Sequence, residues 1–152
     1  MIKSIPVTAS GLAQFRKEKA ELLEKRVPAV FNLKTAREMG DLSENAAYKV
    51  ARMELSAIDA RLRKLEYIIR LSTIVDNKIK DRVGFDTKIK LVGEGKEMVF
   101  TLVGGYESDP TKGRISHMSP IGRAVFNRKV GDEIRVNTPG GISTYRISEI
   151  LE

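Results

Sequence analysis

The stretch that decides the fold lies between two long helical patterns and reads Gly40-Asp41-Leu42-Ser43-Glu44-Asn45-Ala46-Ala47-Tyr48. Apolar residues recur at helical intervals on both sides of it, which predicts the turn of an antiparallel helical hairpin. Each helix would cover roughly 28 residues and extend roughly 42 Å, at about 1.5 Å per residue. The turn would therefore carry two carboxylates, Asp41 and Glu44, to the end of a long rod, where they are well placed to enter the site of another molecule.

The first helix is predicted to begin after Thr8, whose hydroxyl can accept a hydrogen bond from an unpaired N–H of the first turn. Its pattern lasts to about Met39. Pro28 lies inside the pattern and predicts a kink rather than an end. Gly40 can take the left-handed conformation that closes a helix. The apolar residues of this helix are Leu12, Phe15, Leu22, Leu23, Val27, Val30 and Leu33.

The second helix has the clearer pattern. Its apolar residues are spaced alternately four and three apart, as Ala51, Leu55, Ile58, Leu62, Leu65 and Ile69. This spacing is typical of the a and d positions of a coiled coil, and charged residues occupy the other faces. A two-helix rod buries little apolar surface per residue. Its stability would come from the row of a and d residues, which we call the seam, and from the domain at its base.

From Thr73 onward, the helical period gives way to short strands. Two antiparallel pairs are predicted, 88–92 with 98–103 and 133–136 with 144–148. Between them, Ser119 can cap a short helix that has Pro120 at its first position. The sequence thus predicts an α+β protein, with a coiled-coil hairpin over 1–76 and a small antiparallel-sheet domain with one short helix over 77–152.

Composition limits the class of protein. The chain has 152 residues and no cysteine, so disulfides and thiolate metal sites are excluded. No apolar run approaches the roughly 20 residues that span a bilayer, and the first residues lack the apolar core of a signal peptide. We therefore expect a cytoplasmic protein without a membrane partner. The net charge of +7, spread over both halves, favours polyanionic partners.

Two interpretations of Asp41 and Glu44 are compatible with the sequence. In the first, the pair is a capping box that begins the second helix. In the second, both carboxylates face one Mg²⁺, an ion that prefers six oxygen ligands. Two carboxylates would hold it only weakly, so a partner would have to supply the remaining ligands for phosphodiester chemistry. Capping in the free protein could give way to coordination in a complex.

Three further residues near the turn suit contact with a nucleic acid. Arg37 and Arg52 flank the turn and can each hold a phosphate, although both would also be ordinary as solvated cations. Tyr48 can stack on a base or pack against the turn. The only histidine, His117, has no serine or acid in a nucleophilic arrangement around it, so we expect a structural role.

Four segments together resemble one family. The first is the tip segment, residues 36–48, and the others are Ser119–Ala124, Val130–Asp132 and Thr138–Gly141. In these segments the chain resembles the bacterial Gre family of transcription elongation factors, and its GreA branch more than its GreB branch. The resemblance covers nearly the whole length.

The resemblance implies a fold, a partner and an activity. The second half would be similar to the FKBP fold and would dock at the rim of the secondary channel of bacterial RNA polymerase. The hairpin would enter that channel and stimulate the polymerase's own endonuclease on backtracked RNA. The protein would act as a monomer and would not itself be an enzyme.

The resemblance also implies roles for the acids of the turn. Asp41 and Glu44 match residues that help to hold a second Mg²⁺ and the attacking water. The ion would be bound only within the polymerase complex and not by the free protein. Ser43 and Asn45 lie in the same motif and would orient the acids or the water.

The basic residues match positions that contact RNA. Arg37 and Arg52 would meet the extruded 3′ end of the nascent transcript, with Tyr48 beside them. Ala47 stands where the family often has an acid, which removes one negative charge from the tip. The charge of +7 is high for a GreA-like member, so the length of the released RNA fragment stays open.

Two other functions remain open at this point. A regulator that occupies the channel without cleavage would need only the hairpin, but the presence of both acids argues against it. A prolyl isomerase would need an apolar pocket lined by aromatic residues. The second half has few aromatic residues and no tryptophan, which argues against this activity: Phe85, Phe100, Tyr106, Phe126 and Tyr145.

Overall fold

The structure is a computed structural model that describes residues 3–40, 45–76 and 80–151. The chain divides into two compact units. The helical unit is Leu12–Leu71, and the sheet unit combines Met1–Gly11 with Ser72–Glu152.

The helical unit is built by two long helices, α1 (Ala9–Arg37) and α2 (Ala46–Leu71). α1 begins where the sequence predicts, because the Thr8 hydroxyl accepts a 3.0 Å hydrogen bond from the N–H of Gly11. Pro28 lies within α1 without ending it, as predicted; the kink at that residue stays a prediction. The two helices form the predicted hairpin.

The seam of α2 is close to the predicted one. Ala51, Ile58, Leu62 and Leu65 are buried, as expected for a and d positions. The last buried residue is Ile68, whereas the predicted Ile69 is only half-buried. The alternating spacing of four and three residues therefore ends at Leu65, and the last buried residue follows three positions later.

The seam of α1 differs from the predicted one. Its buried apolar residues are Phe15, which the predicted pattern includes, and Ala29 and Ala36, which it does not. The predicted Leu23, Val27 and Val30 are instead exposed, Val27 to 71%. Leu22 is partly buried and packs against the cluster of Ala29, Ile58 and Leu62. Leu23, Val27 and Val30 fall on a neighbouring stripe of the helix, which this contact leaves outside.

Ion pairs between the helices reinforce the register. Arg26 Nε donates to Asp59 Oδ1 at 2.6 Å, and its Nη2 lies 3.4 Å from Oδ2. Arg61 holds Glu18 in the same bidentate way, at 2.6 and 2.8 Å. These hydrogen bonds lower the pKa of both carboxyl groups, chiefly through Arg61 at Glu18 and Arg26 at Asp59.

In the part of the sheet unit that the structure describes, there are seven strands and one short α-helix. They are β1 (Ile5–Val7), β2 (Ser72–Ile74), β3 (Thr87–Gly93), β4 (Lys96–Val103), β5 (Arg114–Ser116), α3 (Pro120–Val125), β6 (Glu133–Thr138) and β7 (Gly141–Leu151). β1 and β2 form a small parallel pair, and the other five form a sheet in the order β5-β4-β3-β7-β6. Ser119 caps α3 through a 3.0 Å bond from the N–H of Gly122, and Pro120 begins it, as predicted.

The α+β class and the four predicted strands are confirmed, with one correction. The five-stranded sheet is antiparallel except at β5, which pairs parallel with β4. Three-residue strands such as β5 are too short to show a period of two, so the sequence pattern does not reveal them. The core lies between α3 and the sheet and includes Ile89, Leu91, Leu102, Val125 and Ile147.

The N-terminal strand explains how the units divide. Ile5 pairs with Ser72 and Val7 with Ile74, so the first residues of the chain belong with the sheet unit. The predicted division into a hairpin over 1–76 and a docking domain over 77–152 stays a prediction about functional domains.

Candidate functional site

The candidate site is the end of the hairpin. α1 ends at Arg37, the N–H of Met39 bonds to the carbonyl of Ala36 at 3.2 Å, and Gly40 has φ of 121°. A positive φ of this kind favours glycine, because a side chain would be strained there. The catalytic and metal-binding predictions for Asp41 and Glu44, and the supporting one for Ser43, fall on 41–44, which lies outside the described residues. They stay predictions.

Asn45 connects the two helices at this end. Its Nδ2 donates to the carbonyl oxygen of Ala36 at 2.8 Å, and its Oδ1 accepts from the N–H of Tyr48 at 3.1 Å. The first bond pairs a carbonyl in the last turn of α1, and the second caps α2. A carboxylate at this position could not make both bonds, since it has no N–H to donate.

The cap at Asn45 corrects the capping-box interpretation. α2 begins at Ala46, so Tyr48 and not Glu44 occupies the third position of the helix. The N-cap of α2 is therefore Asn45 and not Asp41. Because both residues offer carboxylate oxygens, the donor type that Mg²⁺ prefers, their chemistry fits the ion that the resemblance implies.

Arg37 and Tyr48 are brought together at the tip. The guanidinium carbon of Arg37 lies 5.8 Å from the centre of the Tyr48 ring, within the range of a cation–π contact. Tyr48 is half-buried and Arg37 is exposed. The contact holds the Arg37 side chain at the turn while leaving its charge accessible to an anion.

Arg52 lies on an outward face of α2. It lines a shallow surface groove together with Lys49, Met53 and Ser56. The neighbouring ammonium of Lys49 adds to the positive charge on this face. The predicted RNA-binding residues therefore belong to two clusters, with Arg37 and Tyr48 in contact and Arg52 beside Lys49.

A second surface groove at this end has no counterpart in the sequence-based predictions. It has a volume of about 490 Å³ and runs between Phe31 on α1, Met39 just after α1, and Val50 on α2. Phe31 and Met39 are 67% and 71% exposed. Neither Arg37, Tyr48 nor Arg52 lines it, so the tip presents a basic surface and an apolar surface separately. The sequence signal for this groove is the set of small residues Ala46, Ala47 and Ala51, whose side chains are too short to fill it.

His117 lies away from the hairpin, in the sheet unit. Its ring meets that of Phe85 edge-on at 4.8 Å between centres, and its Nδ1 lies 3.4 Å from the carbonyl oxygen of Val103. This packing agrees with a structural role.

Two kinds of feature are absent from the residues that the structure describes. Within 3–40, 45–76 and 80–151, no three His, Cys, Asp or Glu side chains are grouped so that they could hold a metal ion. In the same ranges, no helix combines the length and the apolar character needed to cross a membrane.

Similarity to known proteins extends over nearly the whole chain. The family model for the N-terminal part of GreA/GreB transcription elongation factors matches residues 5–74, and the model for their C-terminal part matches 78–152. Transcription elongation factor GreA of Lactococcus lactis subsp. lactis is 40% identical over 99% of both chains. That of Syntrophus aciditrophicus is 36% identical over 98% of this chain and 96% of its own. The structure of GreA factor homolog 1 (Gfh1) of Thermus thermophilus is 23% identical, covers 99% of this chain and 100% of its own, and has a TM-score of 0.47.

Proposed function

Because this chain belongs to the GreA/GreB family of transcription elongation factors, we propose that it stimulates transcript cleavage by bacterial RNA polymerase. The protein binds the polymerase in the cytoplasm, and its hairpin tip enters the secondary channel toward the active centre. The sheet unit docks at the rim of the channel. The protein acts as a monomer and is not itself an enzyme, since the polymerase supplies the rest of the catalytic centre.

One observation carries the proposal. Asn45 caps α2 and bonds to the end of α1, so the N-cap of α2 is Asn45 and not Asp41. With the N-cap of α2 provided by Asn45, the proposal assigns the carboxylates of Asp41 and Glu44 to the partner. The length of the hairpin suits that task, since the 29 residues of α1 extend about 43 Å.

The acids act within the polymerase complex. Asp41 and Glu44 provide carboxylate oxygens to a Mg²⁺ ion that the polymerase also ligates. When bound, this ion supplies an activated water and neutralises charge for in-line attack on a phosphodiester. Ser43 orients the acids or the water, and Asn45 keeps the ends of the two helices at a constant separation.

The basic side chains act on the RNA. Arg37, held against the Tyr48 ring, offers a planar guanidinium to a phosphate of the extruded 3′ segment. Arg52 and its neighbour Lys49 extend the positive surface along α2. These contacts hold the backtracked transcript in place while the acids of the tip reach the scissile bond.

The test is cleavage of RNA in a backtracked elongation complex with Mg²⁺. We expect the unsubstituted protein to release 3′ fragments, and Asp41→Ala and Glu44→Ala to slow the release by about a hundredfold. Glu38→Ala is the matched control, because Glu38 is an exposed acid at the same end of the hairpin, and it should cleave normally.

Two results would contradict the proposal. The first is equal cleavage by the acid variants and the unsubstituted protein, which would remove the acids from the reaction. The second is tight binding that inhibits synthesis and releases no RNA at any Mg²⁺ concentration, which would replace cleavage by simple occupation of the channel.

A further inference from the structure

A buried carboxylate lies in the sheet unit, and the proposed cleavage reaction does not use it. Glu107 ends a short 3-10 turn, Gly105–Glu107, and its side chain is only 2% exposed. A carboxylate is costly to bury unless hydrogen bonds and an opposite charge compensate for the lost water. Its partners therefore indicate what this part of the fold holds in place.

Four donors meet this carboxylate. Oε2 accepts from the N–H of Thr8 at 3.0 Å and from the N–H of Gly104 at 3.1 Å. Oε1 accepts from the hydroxyl of Thr8 and from Nη2 of Arg114, the latter at 3.2 Å. A carboxylate satisfies all four donors, whereas the NH2 group of a neutral amide would face at least one of them as a second donor.

Two of these donors belong to Thr8, at the end of a segment that we call the N-terminal strap, Ile5–Thr8. The strap consists of β1 and Thr8, and its residues Ile5, Val7 and Thr8 are buried. β1 pairs with β2 in a two-stranded sheet that is separate from the five-stranded one. Because a two-stranded sheet is marginally stable by itself, the strap needs further contacts to stay in place.

Gly104 shows how closely the strap lies on the turn that carries Glu107. A Cβ on Gly104 would overlap the carbonyl oxygen of Pro6, a strap residue, and would press on Oε2 of Glu107. The backbone of Gly104, with φ of −65° and ψ of 160°, is one that any residue adopts. A side chain at this position would therefore displace the strap without straining the backbone of residue 104.

We propose that the N-terminal strap is a latched segment that opens as one unit, with Glu107 as its latch. In the closed state, the latch joins the strap to the 3-10 turn and to Arg114, the first residue of β5. When the strap opens, the carboxylate and the guanidinium regain water, which offsets much of the lost hydrogen bonding. The latch thus specifies one closed arrangement and still lets the strap open more often than the five-stranded sheet unfolds.

The test uses the free protein and amide hydrogen exchange measured by NMR. Four N–H groups report on the strap, because each bonds to a strap residue or to the latch: Thr8, Gly11, Gly104 and Val75. In the parent we expect the four to share one protection factor within about threefold. They should exchange about tenfold or more faster than the amides of β3, at the centre of the five-stranded sheet.

Substitutions at the latch should open the strap and leave the five-stranded sheet closed. Thr8→Val removes a hydroxyl at nearly constant volume, and Arg114→Gln removes the compensating charge. Each should lower the protection of the four amides together by about tenfold or more, as expected when a hydrogen bond to a charged group is lost. Gly104→Ala should do the same through overlap with Pro6. The amides of β3 should change by less than about twofold.

Matched variants separate the latch from general damage. Thr8→Ser keeps the hydroxyl and should keep the parent's protection. Glu149→Gln neutralises an exposed acid of β7 and should have no effect.

The parent alone can overturn the proposal, whichever variants fold. Equal protection of the strap and β3 amides would show that the strap opens only when the whole unit unfolds. Unrelated protection factors among the four amides would show that it does not open as one unit. Latch variants that lower the strap and β3 amides equally, or neither set, would remove Glu107 from the role of latch.

Discussion

The side-chain amide of Asn45 makes two hydrogen bonds: its Nδ2 donates to the carbonyl oxygen of Ala36, and its Oδ1 accepts from the N–H of Tyr48. Both backbone groups lie at helix ends, where they have no hydrogen-bond partner within their own helix. A single side chain thus closes α1 and begins α2. Because Asn45 is the N-cap of α2, that role does not fall to Asp41.

Replacing Asn45 tests this closure. Asn45→Ala removes both bonds and should lower the free energy of unfolding by about 1–2 kcal/mol. Asn45→Asp keeps the cap of α2 and loses only the donor to Ala36, so its loss should be smaller, about 1 kcal/mol or less. Urea denaturation followed by circular dichroism measures both values.

The control for Asn45 is Asn32→Ala, an exposed asparagine within α1, which should not lower stability. The order expected is therefore parent, then Asp, then Ala, from most to least stable. Equal urea midpoints for the parent and Asn45→Ala would show that the bridge does not hold the hairpin.

The two helices of the hairpin depend on each other for their register. α2 carries an unambiguous seam, whereas α1 carries two apolar stripes, and only the stripe with Ala29 and Ala36 is buried. The bidentate pairs of Arg26 with Asp59 and Arg61 with Glu18 lie along the same contact. Apolar packing sets the face that is buried, and the ion pairs add a second, directional constraint.

These pairs predict a pH dependence of the hairpin. Since Arg61 and Arg26 lower the folded-state pKa of Glu18 and Asp59, the carboxylates stabilise the fold above their ordinary pKa values. That contribution should disappear as the pH falls from about 4.5 through the lowered values. The urea midpoint of the parent should therefore decrease over this range.

The double variant Arg26→Gln, Arg61→Gln should flatten this pH dependence, because it removes the hydrogen-bonded guanidinium partner of each carboxyl group. Arg16→Gln, which changes an exposed arginine of α1, should leave the slope as in the parent. A double variant with the parent's full slope would assign the pH dependence to other groups.

At the scale of the whole molecule, contacts between distant parts of the chain organise the fold. β1 pairs with β2 across 67 positions of sequence, from Ile5 to Ser72, and Thr8 meets Glu107 across 99. These contacts bring the start of α1 into the sheet unit. The net charge of +7 is likewise a property of the whole chain, and it sets the long-range field that a polyanionic complex meets.

The charge predicts a salt dependence of cleavage. Raising the salt concentration from about 50 to about 200 mM should raise the half-saturating concentration of the protein several-fold, since phosphate contacts release counterions. Arg52→Gln should reduce the slope of the logarithmic plot by about one. Lys112→Gln, an exposed lysine of the sheet unit, should keep the parent slope, and a slope near zero for the parent would argue against a charged interface.

The sequence by itself determined the features that repeat within a short window. The seam of α2, the four longer strands, the Ser119 cap of α3 and the family resemblance of the tip all follow from local spacing or local chemistry. Tertiary structure decided which stripe of α1 is buried, that Asn45 rather than Asp41 begins α2, and that β5 joins the sheet in parallel. It alone brought Glu107 to Thr8. The physical reason is that packing, pairing and burial of a carboxylate depend on partners many residues away, and no local pattern specifies them.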